Sequence, residues 1–96
     1  MGRLPVETPA RAIVVDPEQP KRVYAANDSG VYRSDDAGQT WDIASQGIQD
    51  VDIAAITLDP SQPHRLFAMS KKGVLYTSDN GADSWRTVTG EGRVRE

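Results

Sequence analysis

The chain has 96 residues, a formal net charge of −3, a hydrophobic fraction of 38% and no cysteine. The small acidic excess argues against nucleic acid or an anionic membrane as a partner, because binding to phosphate groups needs an excess of basic residues. The lack of cysteine excludes disulfides and thiolate metal sites. No apolar run reaches the roughly 18 residues that span a bilayer, and the first residues do not resemble a secretion signal. These features assign no compartment.

Four short strands are predicted in the first half of the chain, at 12–15, 22–26, 31–34 and 41–44. Asp16 and Pro17 end the first strand, since proline cannot donate to a β-ladder. The segment 27–30, Asn-Asp-Ser-Gly, predicts a hairpin turn in which Gly30 takes a positive φ. No segment has helical spacing over about ten residues, so the predicted fold class is all-β.

The second half of the chain repeats the first. The matching segments, 43 or 44 residues apart, are 13–17 with 56–60, 19–25 with 62–68, and 34–41 with 78–85. Strands are therefore predicted again, at 53–58, 65–69, 74–77 and 85–88. A period of this length indicates one supersecondary unit that is used twice and that stacks on its neighbour.

Residues 34–41 fit the pattern S-x-D-x-G-x-T-W at every defined position, and residues 78–85 fit most of it. This pattern is the Asp-box, or bacterial neuraminidase repeat. The chain resembles the β-propellers of the sialidase-like, sortilin-like and photosystem-assembly types, and its lead-in to each box is most similar to the last two. The resemblance covers about residues 12–88. It implies two four-stranded antiparallel blades, a partial propeller that oligomerisation or missing blades would complete.

The repeat and the resemblance together predict the organisation of the chain. An N-terminal connection at 1–11, interpreted as the remnant of a link from a preceding blade, leads into blade 1 at 12–46. A linker at 47–53 joins it to blade 2 at 54–89, and a flexible tail follows at 90–96.

We interpret the boxes as structural elements. Asp36 is expected to bond N–H groups of its own turn, with weaker bonds from hydroxyl groups. Ala82 stands where the pattern has glycine, which leaves open a shifted register in which Gly81 does that work. The resemblance implies boxes at the propeller's periphery, away from its central site, so Asp35 and Asp79 are also expected to be structural. The predicted structural residues are Ser34, Asp36, Gly38, Thr40, Trp41, Ser78, Asn80, Gly81, Ser84 and Trp85.

No catalytic, cofactor-binding or metal-ligating residue is predicted. Residues 3–5 (Arg-Leu-Pro) faintly match the Arg-Ile-Pro motif of sialidases, but the rest of a sialidase site is not recognisable. The three tyrosines, Tyr24, Tyr32 and Tyr76, fall within strands, as packing residues would. His64, the only histidine, is expected in a surface loop without a second metal ligand.

Two further features suggest structural contacts. Arg22 and Arg65 hold equivalent places in the two repeats, which predicts a bond to the loop or the box rather than ligand recognition. Lys71 and Lys72 form a charged turn, which is interpreted as a solvated tip.

The predicted function is that of a non-catalytic blade pair that self-assembles into a ring and acts as a protein-interaction scaffold. Two blades leave two apolar faces uncovered, and closed propellers have about four to eight blades, so roughly three or four copies would close a ring. Complementary blades are the other way to cover these faces, and a protein or peptide is the expected ligand. The alternative is a glycan-binding or glycoside-processing, sialidase-like fragment. The loops 17–20, 47–52 and 60–63 lack aromatic residues, which favours the scaffold.

Overall fold

The structure, a computed structural model, describes residues 10–49 and 52–88. Most of the predicted N-terminal connection and the predicted flexible tail lie outside these residues. The described residues form eight strands: β1 (Ala12–Val15), β2 (Val23–Asn27), β3 (Gly30–Ser34), β4 (Asp42–Ile43), β5 (Ile53–Asp59), β6 (Gln62–Ser70), β7 (Leu75–Ser78) and β8 (Arg86–Thr87). No helix with the length and apolarity needed to cross a membrane occurs among them.

The eight strands form two antiparallel meanders. Sheet 1 has the order β1-β2-β3-β4 and sheet 2 the order β5-β6-β7-β8. Each strand pairs with its neighbour in the chain, because the connecting turns are short. The predicted all-β fold with two four-stranded antiparallel sheets is thus confirmed.

The turn between β2 and β3 has the predicted chemistry. Asn27 pairs with Gly30 across the hairpin, and Gly30 has a φ of 129°. The side-chain oxygen of Asn27 accepts the N–H of Ser29 at 2.7 Å, which holds the turn closed.

The start of β6 differs from the sequence prediction by three residues, whereas the other strand ends differ by one residue at most. β6 begins at Gln62, inside the predicted loop 60–63, because Asp59 pairs with Gln62 around a tight turn. Pro63 falls where the register shifts, so the ladder does not need its missing N–H. His64 therefore lies on an exposed position of a strand and not in a loop. β5 begins at Ile53, as predicted, where Ile53 pairs with Ser70 and is fully buried.

The core lies between the two sheets. Alternation along the strands divides each sheet into an inner face, which meets the other sheet, and an outer face. The inner face of sheet 1 contributes Tyr24, Ala26 and Val31, with Val14 partly buried beside them. The inner face of sheet 2 contributes Ile56, Leu66, Ala68, Tyr76 and Trp85. β5 contacts β1 and β2 across this junction.

The two outer faces follow from the same alternation. The outer face of sheet 1 consists of Ile13, Val15, Val23, Ala25, Tyr32, Ser34 and Ile43. The outer face of sheet 2 consists of Ala55, Thr57, Phe67, Met69, Leu75, Thr77 and Arg86.

Candidate functional site: the Asp-boxes and the junction between the sheets

The first Asp-box closes on itself through the side chains of Ser34 and Asp36. The Ser34 hydroxyl accepts the N–H groups of Asp36 (3.2 Å) and Gly38 (2.8 Å) and donates to Asp36 Oδ1 at 2.7 Å. Asp36 Oδ1 also accepts the N–H of Thr40 at 2.8 Å, and its Oδ2 accepts the Thr40 hydroxyl. The indole N–H of Trp41 donates to the carbonyl of Gly38 at 3.1 Å. The polar groups of this turn are thus largely satisfied within the turn.

These bonds set the protonation state of Asp36. The Thr40 hydroxyl, the Thr40 N–H and the Ser34 hydroxyl lower the pKa of Asp36 to about 2. All three donate to the charged form of the carboxylate and so favour it. Asp36 is therefore ionised at neutral pH, with its oxygens directed to its own turn rather than to a ligand.

The second Asp-box has the same register as the first. The Ser78 hydroxyl accepts the N–H of Ala82 at 2.9 Å, as Ser34 does for Gly38. Asn80 takes the place of Asp36: its Oδ1 accepts the Ser84 N–H at 3.0 Å, and its Nδ2 donates to the Ser84 hydroxyl at 2.9 Å.

The backbone excludes the shifted register that the sequence left open. Ala82 has a φ of 71°, close to the 89° of Gly38, and Gly81 has a φ of 68°, close to the 63° of Ala37. Each box thus places one glycine and one alanine in the left-handed region, in opposite order. Ala82 itself does the work of the missing glycine, because the serine and asparagine bonds hold the turn in the same shape.

Arginines join each box to the start of the second strand of its own sheet. Arg22 Nε donates to Asp35 Oδ1 at 3.0 Å, and Arg65 Nε donates to Asp79 Oδ1 at 3.2 Å. These equivalent pairs match the bond to the box that was predicted for the two arginines. In the second box Arg86 also contacts Asp79, and this contact and that from Arg65 lower the pKa of Asp79.

The second box also contacts sheet 1 across the junction. Trp85 is only 5% exposed, and its indole N–H donates to the carbonyl of Ala44 at 2.8 Å. Its backbone N–H donates to the carbonyl of Gln46 at 2.8 Å. Trp41, at the equivalent place in the first box, is only partly buried. The two tryptophans thus occupy the same motif position but different environments.

An arginine that the sequence analysis missed completes the junction. Arg33, on β3, donates through Nη1 to the carbonyl of Gly81 at 2.7 Å and to Asp83 Oδ1 at 2.9 Å. Its repeat equivalent is Thr77, and that of Asp83 is Gln39. Arg33 and Asp83 are thus oppositely charged where the repeat has neutral residues. This difference between the repeats was the signal in the sequence that could have indicated the contact.

The three tyrosines lie in strands and are buried, as their positions predicted. Burial raises the pKa of Tyr24, and the neighbouring Arg22 guanidinium acts in the opposite direction. The part of the chain that the structure describes contains no group of three or more His, Cys, Asp or Glu side chains arranged to hold a metal.

An open cleft of about 450 Å³ lies beside the junction. Its lining mixes apolar side chains with polar ones, and the polar residues are Arg33, Asp42, Ser45, Gln46 and Asp83. No aromatic side chain lines this cleft.

Comparison with known proteins identifies the repeat. The family model Sortilin-Vps10 (sortilin, neurotensin receptor 3) matches residues 29–95, which is more than half of the chain. The chain belongs to the Sortilin-Vps10 family. No curated protein gives a significant match to this chain. The predicted resemblance to Asp-box, sortilin-like repeats is confirmed.

Among the solved structures that resemble this Sortilin-Vps10 chain are two GH74 enzymes and one YCF48 protein. The GH74 xyloglucanase from Xanthomonas campestris superposes with a TM-score of 0.68 and 23% identity, over 90% of this chain and 16% of that one. An ancestral GH74 enzyme gives a TM-score of 0.67 and 20% identity, over 86% and 13%. YCF48 from Cyanidioschyzon merolae gives 0.71 and 17%, over 93% and 30%.

These similarities establish the fold of the Sortilin-Vps10 chain. Its two sheets are two blades of a β-propeller, as the sequence predicted. The chain spans between 13% and 30% of the length of the three similar structures. At these levels of identity the likeness concerns architecture alone.

Proposed function

We propose that this chain is a non-catalytic pair of propeller blades that self-assembles into a ring and serves as a protein-interaction scaffold. The observation that carries the proposal is the exposure of three apolar side chains on the edge strands of the outer face of sheet 1, where Val23, Ala25 and Tyr32 of the central strands are buried. Ile13 is 51% exposed, Val15 50% and Ile43 74%. In a propeller, each face of a blade is covered by a neighbouring blade, and an uncovered apolar face favours association.

The electrostatics of Asp36, Asp59 and Asp79 support a structural role for these three residues. A glycosidase needs a carboxylic acid that keeps its proton until it is donated, together with a second carboxylate about 5–9 Å away. Here the pKa values of three aspartates are held below their usual range, chiefly by the Thr40 hydroxyl for Asp36, the Ser61 hydroxyl for Asp59 and Arg86 for Asp79. These groups are stable carboxylates rather than proton donors.

Light scattering behind a sizing column tests the self-assembly. The expected mass is that of roughly three or four chains, which corresponds to about six or eight blades. Ile13→Asp should lower the mass by placing a charge on the outer face of sheet 1. The control Gln19→Asp adds the same negative charge at an exposed loop position and should leave the mass unchanged. A monomer at every concentration would overturn the proposal.

The non-catalytic part needs its own assay. The purified protein, at its assembled concentration, is incubated with sialosides and with xyloglucan, and products are separated by chromatography. We expect no product. Turnover that survives repurification, and that disappears on substitution of a lining residue of the cleft, would refute this part.

A glycan-binding propeller fragment is the second candidate, and the cleft of about 450 Å³, with Arg33, Asp42 and Asp83 in its lining, is the observation in its favour. GH74 enzymes are among the solved structures that resemble the chain, which is a reason to test carbohydrates. Against it, the cleft has no aromatic side chain on which a sugar ring can stack. Binding on a glycan array that Asp42→Ala abolishes would favour this candidate over the scaffold.

A further inference from the structure

The second Asp-box contains an Asn-Gly dipeptide that the first does not. Asn80 and Gly81 stand where the first box has Asp36 and Ala37. In water, the backbone nitrogen of the residue after an asparagine can attack the side-chain carbonyl carbon, and the side-chain amide is then lost as ammonia. A following glycine favours this attack, because it has no Cβ to hinder the approach of its nitrogen. Of the two boxes, the second therefore carries the sequence that is prone to spontaneous deamidation.

The junction between the sheets explains why glycine stands at position 81. A Cβ at this position would lie 3.3 Å from Arg22 Nη1, 3.5 Å from the Tyr24 hydroxyl and 3.7 Å from Arg33 Nη1. The left-handed backbone alone does not require glycine, since Ala37 has a φ of 63° and Gly81 one of 68°. Packing against the first half of the chain thus favours glycine here, and the labile dipeptide is a consequence of how the two sheets meet.

The closed box protects Asn80 from this reaction. The Gly81 N–H, which carries the attacking nitrogen, donates to the carbonyl of His64 at 2.9 Å. The Asn80 carboxamide is held at both ends, because its Oδ1 accepts the Ser84 N–H at 3.0 Å and its Nδ2 donates to the Ser84 hydroxyl at 2.9 Å. The turn must open before the nitrogen can reach the carboxamide carbon. Since Asn80 is exposed, water is available as soon as it does.

The second box is also suited to the product, an aspartate at position 80. In the first box, Asp36 accepts the Thr40 N–H, the Thr40 hydroxyl and the Ser34 hydroxyl. The second box has the same donors, because the Ser84 N–H and the Ser78 hydroxyl already donate to the carboxamide oxygen. Only the Ser84 hydroxyl changes its role. It now accepts a hydrogen bond from the carboxamide nitrogen and would turn its proton towards a carboxylate.

We propose that Asn80 deamidates when the second Asp-box opens, and that the aspartate product restores the Asp-box bonds when the turn closes. The Gly81 nitrogen bonds to Asn80 Cγ, the Cγ–Nδ2 bond breaks, and ammonia leaves with the Gly81 proton. Water then hydrolyses the cyclic imide at either carbonyl group, which gives aspartate or isoaspartate. Isoaspartate adds a methylene group to the backbone of the turn, so only the aspartate form closes the box. The reaction needs one chain and water, and is independent of the proposed self-assembly.

The unchanged chain tests the reaction when it is aged in mildly alkaline buffer, with and without a denaturing concentration of urea. Tandem mass spectrometry locates the conversion of amide to acid. We expect conversion at Asn80 in both samples, slower without urea by about tenfold to a hundredfold, the factor for opening a turn held by a few hydrogen bonds. In urea, Asn27 should react more slowly than Asn80, because the side chain of Asp28 hinders the attack.

Two results of this ageing experiment would overturn the proposal. Equal rates at Asn80 with and without urea would mean that the closed box gives no protection. Conversion in urea with none in native buffer would mean that the folded chain does not open the turn.

Two serine variants distinguish opening of the second box from unfolding of the whole chain. Ser78→Ala removes the hydroxyl that accepts the Ala82 N–H and donates to Asn80 Oδ1. Ser34→Ala removes the equivalent hydroxyl from the first box. In native buffer Ser78→Ala should speed the conversion of Asn80 by about tenfold, whereas Ser34→Ala should leave it nearly unchanged. Equal acceleration by both variants would place the reaction in the unfolded chain and would refute the proposed opening.

Asn80→Asp tests whether the box accepts the product. The variant should elute on ion exchange with one of the acidic species that form as the unchanged chain ages. Its midpoint of urea unfolding at neutral pH should be no lower than that of the unchanged chain, because the three donors then meet a carboxylate. A lower midpoint, or a variant that does not fold, would contradict the restoration of the Asp-box bonds.

Discussion

Replacement of the two tryptophans tests whether the Asp-box acts within its own sheet or across the junction. Trp85 is 5% exposed and donates its indole N–H to Ala44 in the other sheet. Trp41 is partly buried and donates to Gly38 within its own box. The two residues share one motif position. The difference between the losses in the free energy of unfolding that their substitutions cause therefore measures the contribution of the junction.

The magnitude follows from burial and from the hydrogen bond. Truncation of a buried tryptophan costs about 3–5 kcal/mol in the free energy of unfolding, and the carbonyl of Ala44 is left without its donor. For Trp85→Ala we expect a loss near the upper end of that range, about 5 kcal/mol. Trp41→Ala removes a partly exposed ring and should cost about 1–2 kcal/mol. Because a domain of this size is stable by roughly 5–10 kcal/mol, the first change removes half or more of the total.

Urea unfolding followed by far-ultraviolet circular dichroism is the appropriate assay, since tryptophan fluorescence changes with the substitutions themselves. It should be run at a concentration where the chain is a monomer, because the proposed assembly would add stability by mass action. Trp85→Phe keeps an aromatic ring but removes the indole N–H, so the free energy of unfolding should fall by about 1–3 kcal/mol. Equal losses for Trp41→Ala and Trp85→Ala would refute the reasoning, since the junction would then add nothing to the motif.

Two further predictions concern the turns. The pKa of Asp36 is lowered from 3.8 to about 2 on folding, so the unfolded chain binds more protons in that interval. The corresponding stability should be complete above the unfolded value and lost as the pH falls towards 2, and Asp36→Asn should flatten this part of the urea-unfolding profile. Gly47→Ala should cost about 3 kcal/mol, because its Cβ would lie 2.1 Å from the carbonyl oxygen of Trp85. Gly73→Ala, with a similar φ of 91° and no atom within 4 Å, should cost only about 1–2 kcal/mol in the same assay.

The strands and their pairing were predictable from the sequence because their causes are local. Turn residues such as Asp16 with Pro17, and the Asn-Asp-Ser-Gly segment, end one strand and start the next. The largest error fell at the start of β6, where Gln62 pairs with Asp59 around a tight turn. A proline normally ends a ladder, and only the register shift beside Pro63 explains why β6 continues through it.

The Asp-boxes were predictable as turns, whereas their contacts across the junction were not. Ser34, Asp36 and Thr40 lie within one short segment, so their spacing reveals how they bond. The contacts from Trp85 to Ala44 and from Arg33 to Asp83 join residues 41 and 50 positions apart. No periodicity indicates which side chains meet over such a separation.

The sequence by itself determined that this chain has two equivalent four-stranded units, each with an Asp-box at the same place. The tertiary structure alone decided how these units differ. Only the second Asp-box lies at the junction between the two sheets. Trp85 is therefore buried, whereas Trp41 is only partly buried. The physical reason is that a repeat specifies the same local bonds twice, whereas a stack of two units has one junction and two ends.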